Sequence, residues 1–232
     1  MAAQRKFVAT AVACAAALVG VTGCFGADHP FEGMSADKIA DKAAKATSGV
    51  DSVKLSAEGK SSGKSTSLDF SIAKGGKCTG AMESADMGKV DLVALGKDSY
   101  MKGDASYWKA TLGDEATAKK VGDRWVKVPA GQNNDMCDLK TLFKKGDLDG
   151  VKRGEDSEIE GQKAVTLVKK KSGGETVTFY VAAEGEPYFL RADTKGGDQP
   201  NTMNFTDFNK KVSVEAPPAD EIADMKDLIT GS

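Results

Sequence analysis

The sequence predicts an α+β fold: one largely antiparallel sheet of about nine to eleven strands, accompanied by two helices. Three observations predict it. From Asp51 onward, apolar residues recur at every second position over much of the chain, the spacing of strands with one face on a core and the other in water. Glycine pairs and short polar breaks divide these runs at hairpin intervals. Helical spacing is confined to short stretches, chiefly 36–47 and 136–145.

The chain opens with Arg5 and Lys6, an uncharged apolar run from Phe7 to Leu18, and then Val21-Thr22-Gly23-Cys24. The run is too short for a transmembrane helix and has no stop-transfer flank, so residues 1–23 read as an export signal. The Gly23-Cys24 ending resembles the lipobox of bacterial lipoproteins. That resemblance implies cleavage before Cys24, a thioether-linked diacylglycerol on its sulfur, and a location on the outer face of the plasma membrane. The alternative is an ordinary exported chain that is processed near a cysteine. Residues 24–34, with two glycines and a proline, read as a tether.

Ser35 is placed to cap the helix that follows, with Ile39, Ala43 and Ala46 on one stripe and Ser48-Gly49 as its stop. The strand run starts with Val53, Leu55 and Ala57. It continues with Leu68, Phe70 and Ile72, then Cys78–Glu83, then Val90, Leu92 and Ala94. An aromatic section follows, holding Tyr100, Tyr107 and Trp108, with a short helix expected between Thr111 and Lys120 and a strand at Arg124–Val128 that includes Trp125. Met136, Leu139 and Leu142/Phe143 give the second helix its apolar stripe, and lysines at its C-terminal end favour its dipole. Further strands are expected around Val165 and Leu167, around Val177, Phe179 and Val181, around Tyr188, Leu190 and Ala192, and around Met203 and Phe205. A last one is expected at Lys211–Val214. The tail, 217–232, carries Ile222, Met225 and Leu228 on a possible helical stripe.

Composition excludes several functions. Removing 23 residues from 232 leaves 209, enough for one full core, and loss of Arg5 and Lys6 takes the net charge from −2 to −4. A mildly acidic chain with interspersed charges has no electrostatic footprint for nucleic acid. Membrane attachment therefore falls to the acyl chains, at about 0.8 kcal/mol per buried CH₂. With Cys14 removed and Cys24 lipidated, Cys78 and Cys137 remain; in an exported protein their default is one disulfide, pinning the second helix to the sheet. Two free thiols are the alternative, and redox chemistry lacks its usual CxxC spacing.

No residues assemble a catalytic set. The single histidine, His29, lies in the tether, where a general base has no fixed geometry. One histidine and two distant cysteines do not make a zinc site, and neither a nucleophile elbow, a P-loop nor a dinucleotide fingerprint is present. The acidic run Glu155–Glu160 has the spacing of a solvated strand face rather than of a calcium loop. No metal or cofactor is expected, and the chain does not read as an enzyme.

The order of elements, the motif Gly96–Tyr100 leading to Tyr107-Trp108-Lys109, and the closing Phe205–Asn209 before Val212-Ser-Val214 carry a resemblance over roughly residues 35–216. The chain resembles actinobacterial lipoproteins of the LppX/LprG type, whose fold is similar to that of the lipoprotein carrier LolA and its receptor LolB. The resemblance implies a single curved antiparallel sheet, a half-barrel, with helices on its concave face and an apolar cavity between them that takes the acyl chains of a lipid or glycolipid. On that basis Leu55, Leu68, Phe70, Ile72, Leu92, Phe179, Leu190, Met203 and Phe205 are the expected cavity residues. Tyr100, Tyr107, Trp108 and Trp125 are its expected rim, and sheet-edge or core aromatics are the alternative. Under-filled, this interior is a lipid site. Filled, it is a plain core, and the chain is then a lipoprotein that binds an envelope protein partner. The Cys78/Cys137 pair departs from the family pattern.

Overall fold

The computed structural model describes residues 31–128, 137–143 and 145–223. The signal, the lipidation residue Cys24, most of the tether including His29, and the tail beyond Ala223 lie outside them.

A helix, α1 (Ala36–Ser48), begins at Ser35, whose hydroxyl accepts from the Lys38 N–H, as the capping pattern predicts. Five strands follow as a meander: β1 (Ser52–Ser61), β2 (Lys64–Ala73), β3 (Lys77–Ser84), β4 (Gly88–Leu95) and β5 (Ser99–Gly103). Two short helices, α2 (Ala105–Leu112) and α3 (Glu115–Val121), stand where one was expected, and β6 (Trp125–Val128) returns to the sheet beside β5. After α4 (Lys145–Leu148) come β7 (Lys152–Arg153), β8 (Ser157–Ile159), β9 (Gln162–Lys170), β10 (Thr176–Ala182), β11 (Phe189–Lys195), β12 (Asn201–Thr206) and β13 (Ile222–Ala223).

The strands join in the order β13-β6-β5-β4-β3-β2-β1-β12-β11-β10-β9-β7, with β8 also on β9. Two meanders thus meet where β1 pairs with β12. This corrects the expected architecture. The sheet is open and mixed, since β13 runs parallel to β6, and it is not strongly curled, so the strongly curved half-barrel is not formed. Strong curvature needs bulges or glycine kinks repeated along the strands. Here β1, β2, β3 and β4 pair over eight to ten residues without a register shift, and the described ladders carry one, between Tyr180 and Val181.

Two other expectations are corrected. Of the expected helix 136–145, the described residues 137–143 form turns rather than an α-helix, residues 136 and 144 lie outside the described residues, and the next helical piece is α4. Asp138 is the reason: its carboxylate accepts from Lys140 N (2.9 Å), and its carbonyl accepts from Thr141 N (2.9 Å) and Thr141 Oγ1 (2.8 Å), a local turn that competes with helix propagation. Lys211–Val214 has no strand pairing. Of the tail, 217–232, the described residues form a 3₁₀ turn at Ala219–Glu221 and a short pairing of Ile222–Ala223 with Trp125–Val126, and the rest of the expected helical stripe, with Met225 and Leu228, lies outside the described residues.

Because ladders without shifts keep every residue's face fixed by parity, the side of the sheet that carries the helices is organised in cross-strand rows. An inner row runs Val53, Ile72, Cys78, Ala94, Ser99, Val128, and all six are buried. A middle row runs Phe205, Leu55, Phe70, Gly80, Leu92, Met101, Val126, Ala223. Gly80 is required there: a Cβ would lie 2.6 Å from Phe70 Cδ1 and 2.1 Å from the Asp69 carbonyl oxygen. Each large side chain buried in these rows contributes about 1.5–3 kcal/mol relative to exposure.

The covering elements are fastened by specific contacts. Thr47, in the last turn of α1, accepts from the buried Phe189 N–H at 2.9 Å, and Asp37 accepts from Gly150 N. Cys78 and Cys137 form a disulfide, with Cα atoms 5.5 Å apart and both residues fully buried. Phe143 then stacks on Phe189 (4.4 Å) and meets Phe205 (5.2 Å), so the 137–143 segment crosses from β3 to β11 and β12.

The bridge closes a loop with a sequence separation of 59, for which the chain-entropy model gives about 4 kcal/mol of stabilisation. Replacing both cysteines by alanine is expected to lower unfolding stability in urea by up to that amount. Non-reducing peptide mapping of the wild type should yield one cross-linked Cys78–Cys137 pair. An unchanged urea midpoint would show that the bridge does not constrain the unfolded chain.

Candidate functional site

The third row on the same side of the sheet differs from the other two. It runs Phe179, Ala192, Met203, Ala57, Leu68, Met82, Val90 in continuous register across seven strands. Its ends, Phe179 and Val90, are buried, and Ala57 is 8% exposed, whereas Ala192, Met203, Leu68 and Met82 are only half-buried. At about 4.8 Å per strand, the five central positions span roughly 19 Å. Most of the inner and middle rows packs in one buried cluster with α1 and the 137–143 segment, while Val126 and Ala223 at the far end of the middle row lie with α2 and α3. The outer row is an apolar strip that these elements leave partly open.

At the Val90 end the strip runs into a separate apolar cluster beneath α2 and α3, formed by Val90, Tyr107, Trp108, Ala118, Val121, Val126 and Ala223, with Met82 and Met101 packed against it. Gly103 allows α2 to approach this closely, because a Cβ there would fall 2.2 Å from Tyr107 Cδ1. Asp104 caps α2: one carboxylate oxygen accepts from Tyr107 N at 2.7 Å and the other from Lys89 N at 2.8 Å. That side chain therefore ties the start of the helix to the start of β4. Burial alone would raise its pKa, but the backbone N–H groups of Tyr107, Lys89 and Ser106 outweigh burial and hold it below the ordinary aspartate value. Burial pushes the Tyr107 phenol up.

The expected cavity residues separate by row. Leu55, Phe70, Leu92 and Phe205 are buried in the middle row and Ile72 in the inner row; Leu68 and Met203 line the open strip, and Phe179 closes one end of it. Leu190 lies on the opposite face. Tyr180 pairs with Arg191 and Val181 with Phe189, so Leu190 is the extra residue of a bulge and packs with Ala164 and Ala182. The four aromatics do not converge. Tyr107 and Trp108 are buried on α2, while Tyr100 and Trp125, adjacent in sequence to the inward-facing Met101 and Val126, point to the other side of the sheet. Ala57, Met82 and Ala192 complete the strip and were not among the expected cavity residues, although the alternation marks Ala57 and Ala192 as inward-facing; the parity of Cys78, Gly80 and Met82 along one strand is the signal that identifies Met82.

Other features have local partners. On the opposite face Asp193 accepts from Arg191 Nε (2.7 Å), Thr202 Oγ1 (3.0 Å) and Tyr180 OH (3.3 Å), a saturated network beside a shallow depression of about 470 Å³. A groove of about 520 Å³ at the C-terminal end of α1 is lined by Lys42, Lys45, Lys74 and Tyr188. There Lys74 is paired with Asp51 and Tyr188 is stacked on Phe208. Among the described residues no three His, Cys, Asp or Glu side chains gather as metal ligands.

The fold is shared with solved lipoprotein structures. LprF from Mycobacterium bovis superimposes with a TM-score of 0.56 at 13% identity, covering 78% of this chain and 96% of that one. The Mycobacterium tuberculosis lipoprotein LppX gives 0.53 at 16% identity, covering 77% and 97%. No family model and no curated protein matches the chain.

Asp104 generates a pH prediction. A folded-state pKa below the unfolded value means that its stabilisation is fully present above the unfolded value near 3.8 and is lost as pH falls through the folded one. Asp104→Ala is expected to lower stability at pH 7 by about 1 kcal/mol, the usual cost of an N-cap. It should also flatten the loss of melting temperature below pH 4. A wild-type slope retained in the variant would assign that acid sensitivity to other carboxylates.

Proposed function

We propose that the chain is a non-enzymatic, surface-anchored lipoprotein that binds a lipid or another lipophilic ligand along the outer row of its sheet. The observation that carries this reading is the strip itself: Ala192, Met203, Leu68 and Met82, with the buried Ala57 among them, in register on the side that bears the helices and half-buried where most of the neighbouring rows is buried. A monomer gains little by leaving such a row wet, since each apolar Å² exposed forgoes about 25 cal/mol. A ligand shielding ten methylenes there gains on the order of 8 kcal/mol, enough for tight binding without a catalytic group. The shared fold with LprF and the lipoprotein LppX supports the reading, as does the resemblance in sequence pattern. The export signal ending in Gly23-Cys24 supports attachment through a diacylglycerol on Cys24, on the outer face of the plasma membrane, with residues 35–216 as the ligand-binding domain and 24–34 as its tether.

Two measurements test this. Protein expressed without its anchor in a related host should carry a near-stoichiometric lipophilic species in native mass spectrometry, lost in Leu68→Glu while that variant keeps its circular dichroism spectrum. A folded wild type that repeatedly arrives empty and takes up no fluorescent acyl probe would favour the envelope-partner reading. For the anchor, intact mass after detergent extraction should show a lipid increment on a chain starting at residue 24, absent in Cys24→Ala; an unmodified mature chain starting elsewhere would refute it.

A further inference from the structure

Among the described residues, two buried side-chain polar atoms have no hydrogen-bond partner: Thr166 Oγ1 and Trp108 Nε1. Trp108 is 3% exposed, in the first half of α2, and its cluster contains Val90, the last residue of the open row, with Met82, the residue before it, packed against the same cluster. A buried indole N–H without an acceptor is costly, and the cluster that holds Trp108 is otherwise valine, alanine, tyrosine, methionine and leucine. It stands where the half-open apolar strip meets the helices.

We propose that Trp108 Nε1 donates a hydrogen bond to a carbonyl oxygen of the bound ligand, and so selects an acyl compound (an ester, amide or fatty acid) over a plain hydrocarbon. This rests on the strip being the ligand site. The hydrocarbon chain lies over Met82, Leu68, Ala57 and Met203, and the carbonyl end is held beneath α2. The indole satisfies its orphaned donor only when an oxygen arrives, so the gain is specific to ligands with an acceptor at that end. The arrangement also gives the ligand a direction along the row, which an apolar surface alone cannot impose. Tyr107 meets Trp108 edge-on at 5.2 Å and fixes the indole plane.

The test is competition between methyl palmitate and n-octadecane, both delivered from cyclodextrin, against a dansyl-labelled undecanoic acid. Three proteins are compared: wild type, W108F, and wild type with the indole at position 108 replaced by benzothiophene, which keeps the shape and removes the N–H. The wild type is expected to prefer the ester by about three- to tenfold, the usual worth of one neutral hydrogen bond, and both altered proteins are expected to lose that preference. In addition, the Trp108 indole N–H resonance should move downfield when the wild type takes up the ester. A preference that survives in the benzothiophene protein, or equal competition by ester and alkane in the wild type, overturns the proposal while leaving lipid binding intact. Failure of the wild type to take up the dansyl probe removes the lipid reading and this inference with it.

Discussion

The pairing of Leu55 with Phe205 on one side and Phe70 on the other is the constraint on which the rest of the molecule depends. It joins the two meanders and sets the register from which each row propagates outward. Because the strand period is two, a slip of one residue at β1 would turn Val53, Leu55 and Ala57 to the solvent and bring Lys54, Ser56 and Glu58 inward. Leu55 and Ala57 are each opposed by apolar partners on both neighbours, and Val53 by Ile72 on β2, which makes that slip prohibitive. The same pairing decides that Ala57 and Leu68 adjoin Met203 and Met82, and so it creates the outer strip.

What covers the sheet is thin and held at few points. The bulge at Leu190 frees the Phe189 N–H, and Thr47 accepts it, so the irregularity in the ladder is also the docking point of α1. The disulfide fixes the 137–143 segment at β3, and Phe143 fixes it at β11 and β12. Asp104 does the same for α2 through two backbone N–H groups of different elements. Each fastening lies over or beside the inner and middle rows, or at the far end beneath α2. The centre of the outer row lies between them, and that division of cover separates a closed core from an accessible apolar surface.

Much of this was legible in the sequence. Alternation gave the strands, Ser35 gave the start of α1, and the cysteine count gave the bridge. The failures have local causes. Residues 136–145 carry a helical stripe, but the Asp138 turn and the anchoring of Cys137 override it among the residues described. Leu190 alternates correctly with Ala192, yet the bulge reverses its face, and no single residue in Pro187–Leu190 announces it. Tyr100 and Trp125 are near Tyr107 and Trp108 in sequence but on the other side of the sheet, a matter of strand parity that aromatic content does not reveal. Curvature was carried over from resemblance, and long ladders without shifts oppose it. The distinction between the middle and outer rows depends on how far the covering segments reach, which periodicity does not encode.

The central claim, that the half-open outer row is where a lipophilic ligand lies, is tested most directly by photo-crosslinking with a fatty acid carrying a diazirine within its chain, followed by peptide mapping. The account predicts adducts on the peptides of β2, β3 and β12 that contain Leu68, Met82 and Met203, suppressed by excess unlabelled fatty acid. Adducts confined to the opposite face around Val93, Tyr100 and Trp125, or labelling that unlabelled fatty acid does not suppress, would contradict it.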